Sequence, residues 1–332
     1  MSATDLELDL EVDVHLRPET LRQWMRDEAR EGLSGSPKEL SPKWLYDERG
    51  SLLFEEITRL PEYYPTRRER SILRERAREI ARVSRAETLV ELGSGSSEKT
   101  RILLSALREL GTLRTFVPFD VSESMLRSAA RAIRREFPGL RVHAVVGDFE
   151  RQLPPLPGSG RRLVAFLGGT IGNIKPAQRA SFLREIASGL QVGDTFLLGT
   201  DLLKDHLRLH AAYNDREGVT AAFNLNALCV LNRELGANFD LRAFEHLARF
   251  DPKNGWIEML LRSKCDQRVE IPGLELELAL AKYEPLRTEV SCKFRPDQVE
   301  DELAAAGLRL LEWWTDDSGD FAVTLSTPGR SD

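Results

Sequence analysis

A short glycine-bearing segment, Glu91-Leu92-Gly93-Ser94-Gly95-Ser96, follows an apolar run and precedes a helical pattern. Glycines at such a strand-to-helix turn let the backbone approach a ligand closely. A dinucleotide-binding loop has a third glycine where this chain has Glu98. The acidic residue before the glycines suits a ligand that carries an amine and a carboxylate, such as the methionine half of S-adenosylmethionine. The segment therefore favours a methyl-donor site over a dinucleotide site.

Polar residues also end the next two apolar runs. Asp120 ends TFVPFD, where its carboxylate would accept hydrogen bonds from ribose hydroxyls. Asp148 and Phe149 follow RVHAVVG, where the carboxylate would accept from an adenine amino group and the ring would cover the base. A helix-capping aspartate and a core phenylalanine are the alternative for this pair. Together with the glycine segment, these strand ends predict one site.

A fourth apolar run ends in GGTIGN and places Asn173 on the same edge of the predicted sheet. The asparagine amide offers both a donor and an acceptor, which suits an amino-acid substrate. Capping of the helix that begins near Pro176 is the competing explanation.

Two other groups of polar residues predict surface positions. His206 and His210 have a spacing that could bind zinc, but no third ligand accompanies them, so we expect no metal site. The stretch Arg67-Arg68-Glu69-Arg70 has the mixed charge of a solvated helix face.

Short apolar runs alternate with helical segments between residues 88 and 203, and this pattern predicts five parallel strands with helices on both faces. This alternation then stops for almost ninety residues, after which the pattern predicts one helix and two strands. The pattern predicts an α/β, Rossmann-like, doubly wound sheet interrupted by an insertion.

The interruption defines the expected domains. Residues 69–202 and 294–328 would form the α/β domain, and residues 15–68 and 203–293 would form a second, α+β domain. We expect residues 1–14, which are acidic, to be a loose N-terminal arm. The cleft between the domains is the expected ligand site.

Composition narrows the function classes. The chain has 332 residues, of which 41% are hydrophobic and 30% charged, as in ordinary soluble proteins. A net charge of −6 argues against a nucleic-acid partner, which needs a basic face. The acidic N-terminus lacks a secretory pattern, and no apolar stretch approaches the ~18 residues of a membrane span. We therefore expect a cytoplasmic protein with a small-molecule substrate and no membrane partner.

Over nearly its full length the chain resembles the bacterial histidine-specific methyltransferases of ergothioneine biosynthesis, which form hercynine, the Nα-trimethyl betaine of L-histidine. The segments that carry this resemblance are PKWLYDERGSLLFEEITRLPEYYPTR, TLVELGSGSSEKTR, FVPFDVS, GDFE, FLGGTIGN, LLGTDLLKD, GVTAAFN, NRELGANFDLRAFEH, TEVSCKFRP and WWTDDSGDF. The chain departs from the family pattern at Gly169, where serine is expected, and in its acidic arm. The resemblance implies a class I methyltransferase fold and a monomer.

The resemblance also implies which residues contact each ligand. The cofactor S-adenosylmethionine would be bound by Tyr46, Gly93, Lys99, Asp120, Asp148 and Phe149, with Lys99 on the methionine carboxylate. The substrate histidine would be bound by Tyr63, Asn173, Tyr213, Met259, Glu289 and Ser291. Asn173 and Tyr213 would hold the amino-acid end, while Glu289 and Ser291 would hydrogen-bond the imidazole. Tyr46 is the expected catalytic residue, which would orient or deprotonate the amine.

Two other functions remain open from the sequence. A methyltransferase for another amino acid, such as tryptophan, would lack the Glu289 and Ser291 pair. A non-catalytic nucleotide-binding or NAD-dependent protein would have the third loop glycine and a catalytic acid or base.

Overall fold

The computed structural model describes residues 10–151, 153 and 157–329. The α-helices are α1 (Pro18–Ser34), α2 (Glu48–Ile57), α3 (Pro65–Ser84), α4 (Thr100–Leu110), α5 (Glu123–Glu136), α6 (Pro176–Gly189), α7 (His206–Tyr213), α8 (Val219–Leu235) and α9 (Pro296–Ala305). The strands are β1 (Glu11–Val14), β2 (Lys38–Glu39), β3 (Thr88–Leu92), β4 (Thr115–Asp120), β5 (Arg141–Val146), β6 (Arg162–Phe166), β7 (Thr195–Asp201), β8 (Phe244–Asp251), β9 (Trp256–Ser263), β10 (Gln267–Ile271), β11 (Leu276–Leu280), β12 (Pro285–Cys292), β13 (Leu308–Thr315) and β14 (Phe321–Pro328). Among the described residues, none of the helices combines the length and the apolar character needed to cross a membrane.

The chain folds into two compact units. One, called here the α/β unit, contains residues 1–16, 67–202 and 294–332. The other, called the second unit, contains residues 17–66 and 203–293. Each unit is therefore assembled from separate stretches of the sequence.

The α/β unit is built on one eight-stranded sheet in the order β1-β5-β4-β3-β6-β7-β14-β13. The first six strands in this order, from β1 through β5, β4, β3 and β6 to β7, are parallel. Strand β3 lies between β4 and β6, so the strand order reverses at β3. Strands β3 and β6 are buried along their whole length, because helices cover both faces of a doubly wound sheet. The predicted Rossmann-like class is confirmed, and its strand order places ligands at the carboxyl ends beside β3.

The sheet ends in an antiparallel pair, since β14 runs antiparallel to both β7 and β13. The turn between β13 and β14 is organised by Asp316. Its Oδ1 accepts hydrogen bonds from the backbone N–H groups of Asp320 and Phe321, both at 2.8 Å, and its Oδ2 accepts from Ser318 N at 2.9 Å. One carboxylate thus satisfies three backbone donors of the turn.

The prediction that residues 1–14 form a loose arm is wrong for the last residues of that segment. Glu11–Val14 form β1, which pairs in parallel with His143–Val146 of β5. The side chains of Glu11 and Asp13 approach the His143 ring at 3.1 and 2.9 Å. Backbone pairing with a buried strand orders this acidic segment, whereas residues 1–9 of the predicted arm lie outside the described residues.

The second unit combines helices with a four-stranded sheet in the order β2-β12-β9-β8 and a two-stranded hairpin of β10 and β11. Its core is apolar and includes residues from α1, α8, β9 and β12. Helix α8 is largely buried, and its buried residues include Thr220, Asn224 and Asn226 beside the apolar ones. The sheet and the helices together make this unit α+β.

Candidate active site

The glycine segment forms a tight loop after β3. Gly93 and Gly95 have φ angles of +66° and +48°, which side-chain-bearing residues rarely adopt. The N–H groups of Gly93 and Ser94 donate to Phe119 O at 2.9 and 3.0 Å, and Gly95 N donates to Asp120 Oδ2 at 2.9 Å. The loop is therefore fastened to the end of β4, with its backbone at the edge where the sheet order reverses.

Asp120 lies half-buried at the end of β4. Besides Gly95, its carboxylate accepts from Ser122 N at 3.0 Å. Burial raises the pKa of Asp120, and the backbone hydrogen bonds oppose that rise by stabilising the carboxylate. An oxygen acceptor is thus held in place beside the glycine loop.

Glu91 is the acidic residue of β3, and its side chain is buried at 4% exposure. Burial raises its pKa to about 7, although a hydrogen bond from Thr100 and the nearby charge of Lys99 lower it. Its Oε2 is buried and has no hydrogen-bond partner among the described residues. A carboxylate left in this state is suited to a ligand that brings a donor or a positive charge.

Glu69 was predicted to lie on a solvated helix face, and that interpretation is wrong. The side chain is fully buried, pairs with the Lys99 ammonium and accepts from Gly168 N through Oε1 at 2.7 Å. Its partners lie 30 and 99 residues away in the sequence, so no local pattern marks the residue. Arg68, from the same stretch, is paired with Asp316 and Asp320 at 3.5 and 3.2 Å.

Asp148 and Phe149 follow β5. Asp148 is buried, and its Oδ1 accepts from Glu150 N at 2.9 Å. The half-buried Phe149 ring contacts Phe166 edge-on, with centroids 5.1 Å apart, and Phe182 at 5.9 Å. The ring is thus packed against two core phenylalanines, and a Cβ on Gly93 would lie 3.5 Å from its Cε1 atom.

Asn173 ends the 3-10 turn that follows β6. Capping of α6 does not explain it, because Lys175 occupies the N-cap position and no side chain caps that helix. Gly169, where the family pattern has serine, precedes this turn with a φ of +70°, which glycine adopts without strain. The glycine therefore suits the observed backbone.

The second unit brings three of the predicted tyrosines into one aromatic cluster. Tyr46 packs edge-on against Phe54 and Phe223, with centroids 5.4 and 5.3 Å apart. Phe54 in turn contacts Tyr63 at 6.0 Å, and Tyr63 contacts Tyr213 at 6.2 Å. The cluster joins residues more than 160 positions apart in the sequence into one wall.

Tyr46 directly precedes Asp47, which fixes the start of α2. Asp47 caps α2 by accepting from Gly50 N at 2.8 Å, and Asn226 donates to the Asp47 carboxylate at 2.7 Å. Burial raises the pKa of Tyr46 well above its usual value, and the charges of Glu289 and Tyr213 raise it further. Tyr46 therefore stays protonated at neutral pH and can donate a hydrogen bond.

Glu289 and Ser291 lie on one face of β12, because residues two apart on a strand point the same way. Met259 of β9 is the direct cross-strand partner of Glu289. Glu289, Ser291 and Met259 are 8%, 5% and 2% exposed. A buried carboxylate, a hydroxyl and a thioether thus line one surface of the second unit.

Lys293 joins this surface and was not identified from the sequence. It is 3% exposed, and its Nζ donates to Ser291 Oγ at 2.7 Å and to Tyr213 OH at 2.9 Å. Its two-residue spacing from Ser291, which continues the face of β12, was the available signal. Lysine is usually exposed, so the sequence did not indicate burial.

A second buried network fixes the backbone of Tyr213. His246 Nε2 lies 2.8 Å from Tyr213 O, and its Nδ1 lies 2.9 Å from Asn224 Nδ2. Burial lowers the pKa of His246, which keeps the ring neutral. The two histidines considered from the sequence, His206 and His210, are exposed on α7.

A family model for histidine-specific, S-adenosylmethionine-dependent methyltransferases matches residues 25–328. The chain belongs to this family. It is 55% identical to a histidine N-alpha-methyltransferase of Mycolicibacterium smegmatis, over 94% of this chain and 97% of that protein. It is 54% identical to the protein of the same name from Mycobacterium tuberculosis, with the same coverage. Ergothioneine biosynthesis protein 1 of Neurospora crassa is 29% identical over 84% of this chain and 32% of that longer protein.

The expected ligand residues of the family fall into two groups. The α/β unit holds Gly93, Lys99, Asp120, Asp148, Phe149 and Asn173, and the second unit holds Tyr46, Tyr63, Tyr213, Met259, Glu289 and Ser291. Sequence reasoning missed Glu69 and Lys293, which are charged, buried and bonded to members of these groups.

Proposed function

We propose that this protein transfers three methyl groups in succession from S-adenosylmethionine to the α-amino nitrogen of L-histidine. The product is hercynine, and the reaction is the first step of ergothioneine biosynthesis. The observation that carries the proposal is the buried surface of Glu289, Ser291 and Met259 in a chain of the histidine-specific family. The name of the Neurospora relative supports the pathway.

The α/β unit is the proposed cofactor-binding part. Lys99 would hold the methionine carboxylate, and the Asp120 carboxylate would accept from the ribose hydroxyls. Asp148 would accept from the adenine amino group, and Phe149 would pack beside the base. The residues fit this ligand, because the buried Oε2 of Glu91 has no partner among the described groups and the Gly93 loop leaves its backbone accessible.

The second unit is the proposed histidine-binding part. Glu289 would accept the imidazole N–H, Ser291 would bond the other ring nitrogen, and Met259 would pack beside the ring. Leucine and phenylalanine offer no side-chain N–H for the Glu289 carboxylate to accept, so this surface would favour histidine over them. Tyr63 would also belong to this part, and Tyr213 would hold the amino-acid end of the substrate.

When bound, the cofactor supplies a methyl group on a sulfonium, whose departure as a neutral thioether needs no further activation. A carbon–nitrogen bond forms as the carbon–sulfur bond breaks, and each amine that still carries a hydrogen must release one proton. The chain therefore has to orient an uncharged amine, although the α-amino pKa near ~8 leaves most of it protonated at neutral pH. We assign Tyr46 to orienting that amine. The raised pKa keeps its phenol protonated and uncharged, so the hydroxyl can donate a hydrogen bond.

We also propose an oligomeric state, a location and the absence of certain partners. We infer a monomeric cytoplasmic enzyme that acts without a nucleic-acid, membrane or metal partner. The net charge of −6 supports the absence of a nucleic-acid partner, and light scattering of the purified chain measures its mass in solution.

The test is incubation of the protein with S-adenosylmethionine and each of the amino acids separately, followed by mass measurement of the products. We expect histidine to gain one, two and then three methyl groups. Trimethylation of tryptophan with histidine unchanged would favour the rival methyltransferase. An absence of methylated product with bound cofactor would favour a non-catalytic nucleotide-binding protein.

A further inference from the structure

Asn224 and His246 connect the end of α7 to the sheet of the second unit. Asn224 is fully buried on α8, and its Nδ2 donates to Leu260 O at 3.1 Å and lies 2.9 Å from His246 Nδ1. His246 Nε2 lies 2.8 Å from the main-chain oxygen of Tyr213. On the other side of the amide, Thr288 Oγ1 contacts Asn224 Oδ1. One continuous chain of polar contacts thus runs from β9 to the last residue of α7.

The Leu260 carbonyl decides the direction of these hydrogen bonds. A carbonyl oxygen only accepts, so it must face the NH2 group of Asn224 and not the amide oxygen. The second hydrogen of that NH2 group points to His246 Nδ1, which therefore has to be an acceptor. A neutral imidazole with an unprotonated Nδ1 carries its hydrogen on Nε2. His246 Nε2–H therefore donates to Tyr213 O.

The surroundings of His246 keep its ring neutral. Burial lowers the pKa of His246, whereas the Tyr213 carbonyl and the charge of Asp215 act in the opposite direction. The charge of His210 lowers the pKa further. An uncharged ring is what the hydrogen bond from Asn224 to Nδ1 requires, since an imidazolium has no acceptor.

The residue that accepts from His246 stands at the end of a helix. Tyr213 is the last residue of α7, and a helix supplies no internal donors for its last four carbonyls. The His246 N–H acts there as a side-chain cap. The hydroxyl of the same tyrosine lies 2.8 Å from Ser291 Oγ. Fixing the carbonyl therefore also fixes the direction in which the Tyr213 side chain leaves the helix.

We propose that His246 is a positioning residue for the substrate, and that Asn224 holds it in the tautomer that donates to the Tyr213 carbonyl. It sets the place of the Tyr213 side chain at the amino-acid end of the bound histidine. This inference rests on the proposed function, since it uses the assignment of Tyr213 to that end of the substrate. A cap that serves only the stability of α7 is the alternative, and the two differ in their effect on the substrate.

The first measurement determines the tautomer. Long-range 1H–15N correlation spectra of protein labelled at histidine report the protonation of each ring nitrogen, and the His246 signals are those missing from His246→Gln. In the unaltered protein at about pH 7.5 we expect an unprotonated Nδ1 and a protonated Nε2. Asn224→Leu, which has a similar side-chain volume but lacks the NH2 donor, should lose this preference.

The second measurement compares the substrate with a fragment of it. We expect His246→Leu to raise the KM for histidine about tenfold and to change kcat less than about threefold, because loss of the donor weakens the hold on the amino-acid end. The Ki of 4-methylimidazole, which lacks that end, should change less than about threefold.

Three further variants complete this comparison. His246→Gln still offers an amide N–H, so its KM should stay within about threefold of that of the unaltered protein. Asn224→Leu should raise the KM for histidine in the same direction as His246→Leu. His206→Leu, at an exposed position of α7, is the matched control and should leave the KM unchanged.

Several outcomes would overturn the inference while histidine is still methylated, and these leave the proposed function intact. One is an Nδ1–H tautomer or an imidazolium in the unaltered protein. An unchanged KM in His246→Leu, or equal weakening of histidine and 4-methylimidazole, would leave His246 only as a cap of α7. If the unaltered protein does not methylate histidine, the proposed function fails, and the role of His246 toward the substrate fails with it, whichever tautomer is found.

Discussion

Glu69 and Lys99 form an ion pair in the α/β unit, and the Glu69 carboxylate is fully buried while it accepts from Gly168 N as well. The pair joins α3 to the start of α4 and to the loop after β6. It holds the one ammonium group that the family resemblance places on the cofactor. Glu69 therefore orients the Lys99 ammonium within the α/β unit.

We expect Lys99→Met to weaken S-adenosylmethionine binding about 10- to 100-fold, which corresponds to the loss of one hydrogen bond to a charged group. Binding of methylthioadenosine, which lacks the amino-acid part, should change little. Calorimetry with both ligands measures the difference. Lys99→Arg is the charge-preserving control.

Because Lys99→Met leaves Glu69 buried without its partner, the double variant with Glu69→Gln separates affinity from stability. It should recover thermal stability but not S-adenosylmethionine affinity. Equal weakening of both ligands would show that Lys99 does not contact the methionine carboxylate.

We expect Glu289→Gln to lower kcat/KM for histidine about 10- to 100-fold, because the substitution removes a charged acceptor for the imidazole N–H. Affinity for S-adenosylmethionine should stay the same. Steady-state kinetics and cofactor titration provide the two measurements. Glu277→Gln, at an exposed position of β11, is the matched control and should behave as the unaltered protein. Unchanged kcat/KM in Glu289→Gln would remove Glu289 from the histidine pocket.

Tyr46→Phe should lower kcat about 100-fold and change the Kd for histidine much less, because the phenol would act on the orientation of the amine. Single-turnover rates and histidine titration separate these effects. An unchanged rate would exclude Tyr46 from the reaction.

The pH profile tests whether Tyr46 orients or deprotonates. The pKa of Tyr46 is raised, so the phenol stays protonated through neutral pH. We expect the rate to rise towards about pH 8 as the substrate amine loses its proton, and this rise should persist in Tyr46→Phe. Disappearance of the rise in the variant would assign it to Tyr46 acting as a base.

Glu91 should lower stability at high pH. Its folded-state pKa is about 7, against 4.5 for an unperturbed glutamate, so between these values the folded protein binds a proton that the unfolded chain has lost. The free energy of unfolding then falls as pH rises, by about 3 kcal/mol for this group alone.

The substitution Glu91→Gln removes that titration. We expect the variant to gain in Tm relative to the unaltered protein at pH 8, and to gain less at pH 5, in calorimetric scans. A difference in Tm that is independent of pH would contradict the raised pKa. If Glu91 contributes to the ligand site, the variant should also bind the cofactor more weakly.

Much of the α/β unit could be predicted because its signals are local. Apolar runs of five to seven residues marked β3 to β7, and Pro18 followed by apolar residues at helical spacing marked α1. The glycine loop was recognisable because Gly93 and Gly95 adopt backbone conformations that few other residues tolerate. Family motifs predicted Tyr46 as a cofactor-binding and catalytic residue and Tyr213 and Glu289 as substrate residues, and the fold brings these three into one unit.

The sequence by itself determined the fold class, the family and the candidate ligand residues, since these depend on periodicity and on short motifs. Only the tertiary structure decided that Glu69 and Lys293 are buried and that residues 11–14 are a strand. The reason is that charge alone predicts exposure, and burial of a charge depends on a partner supplied by another element. For Lys293 that partner is Tyr213, 80 residues earlier in the chain. For Glu69 the second partner is Gly168, 99 residues later.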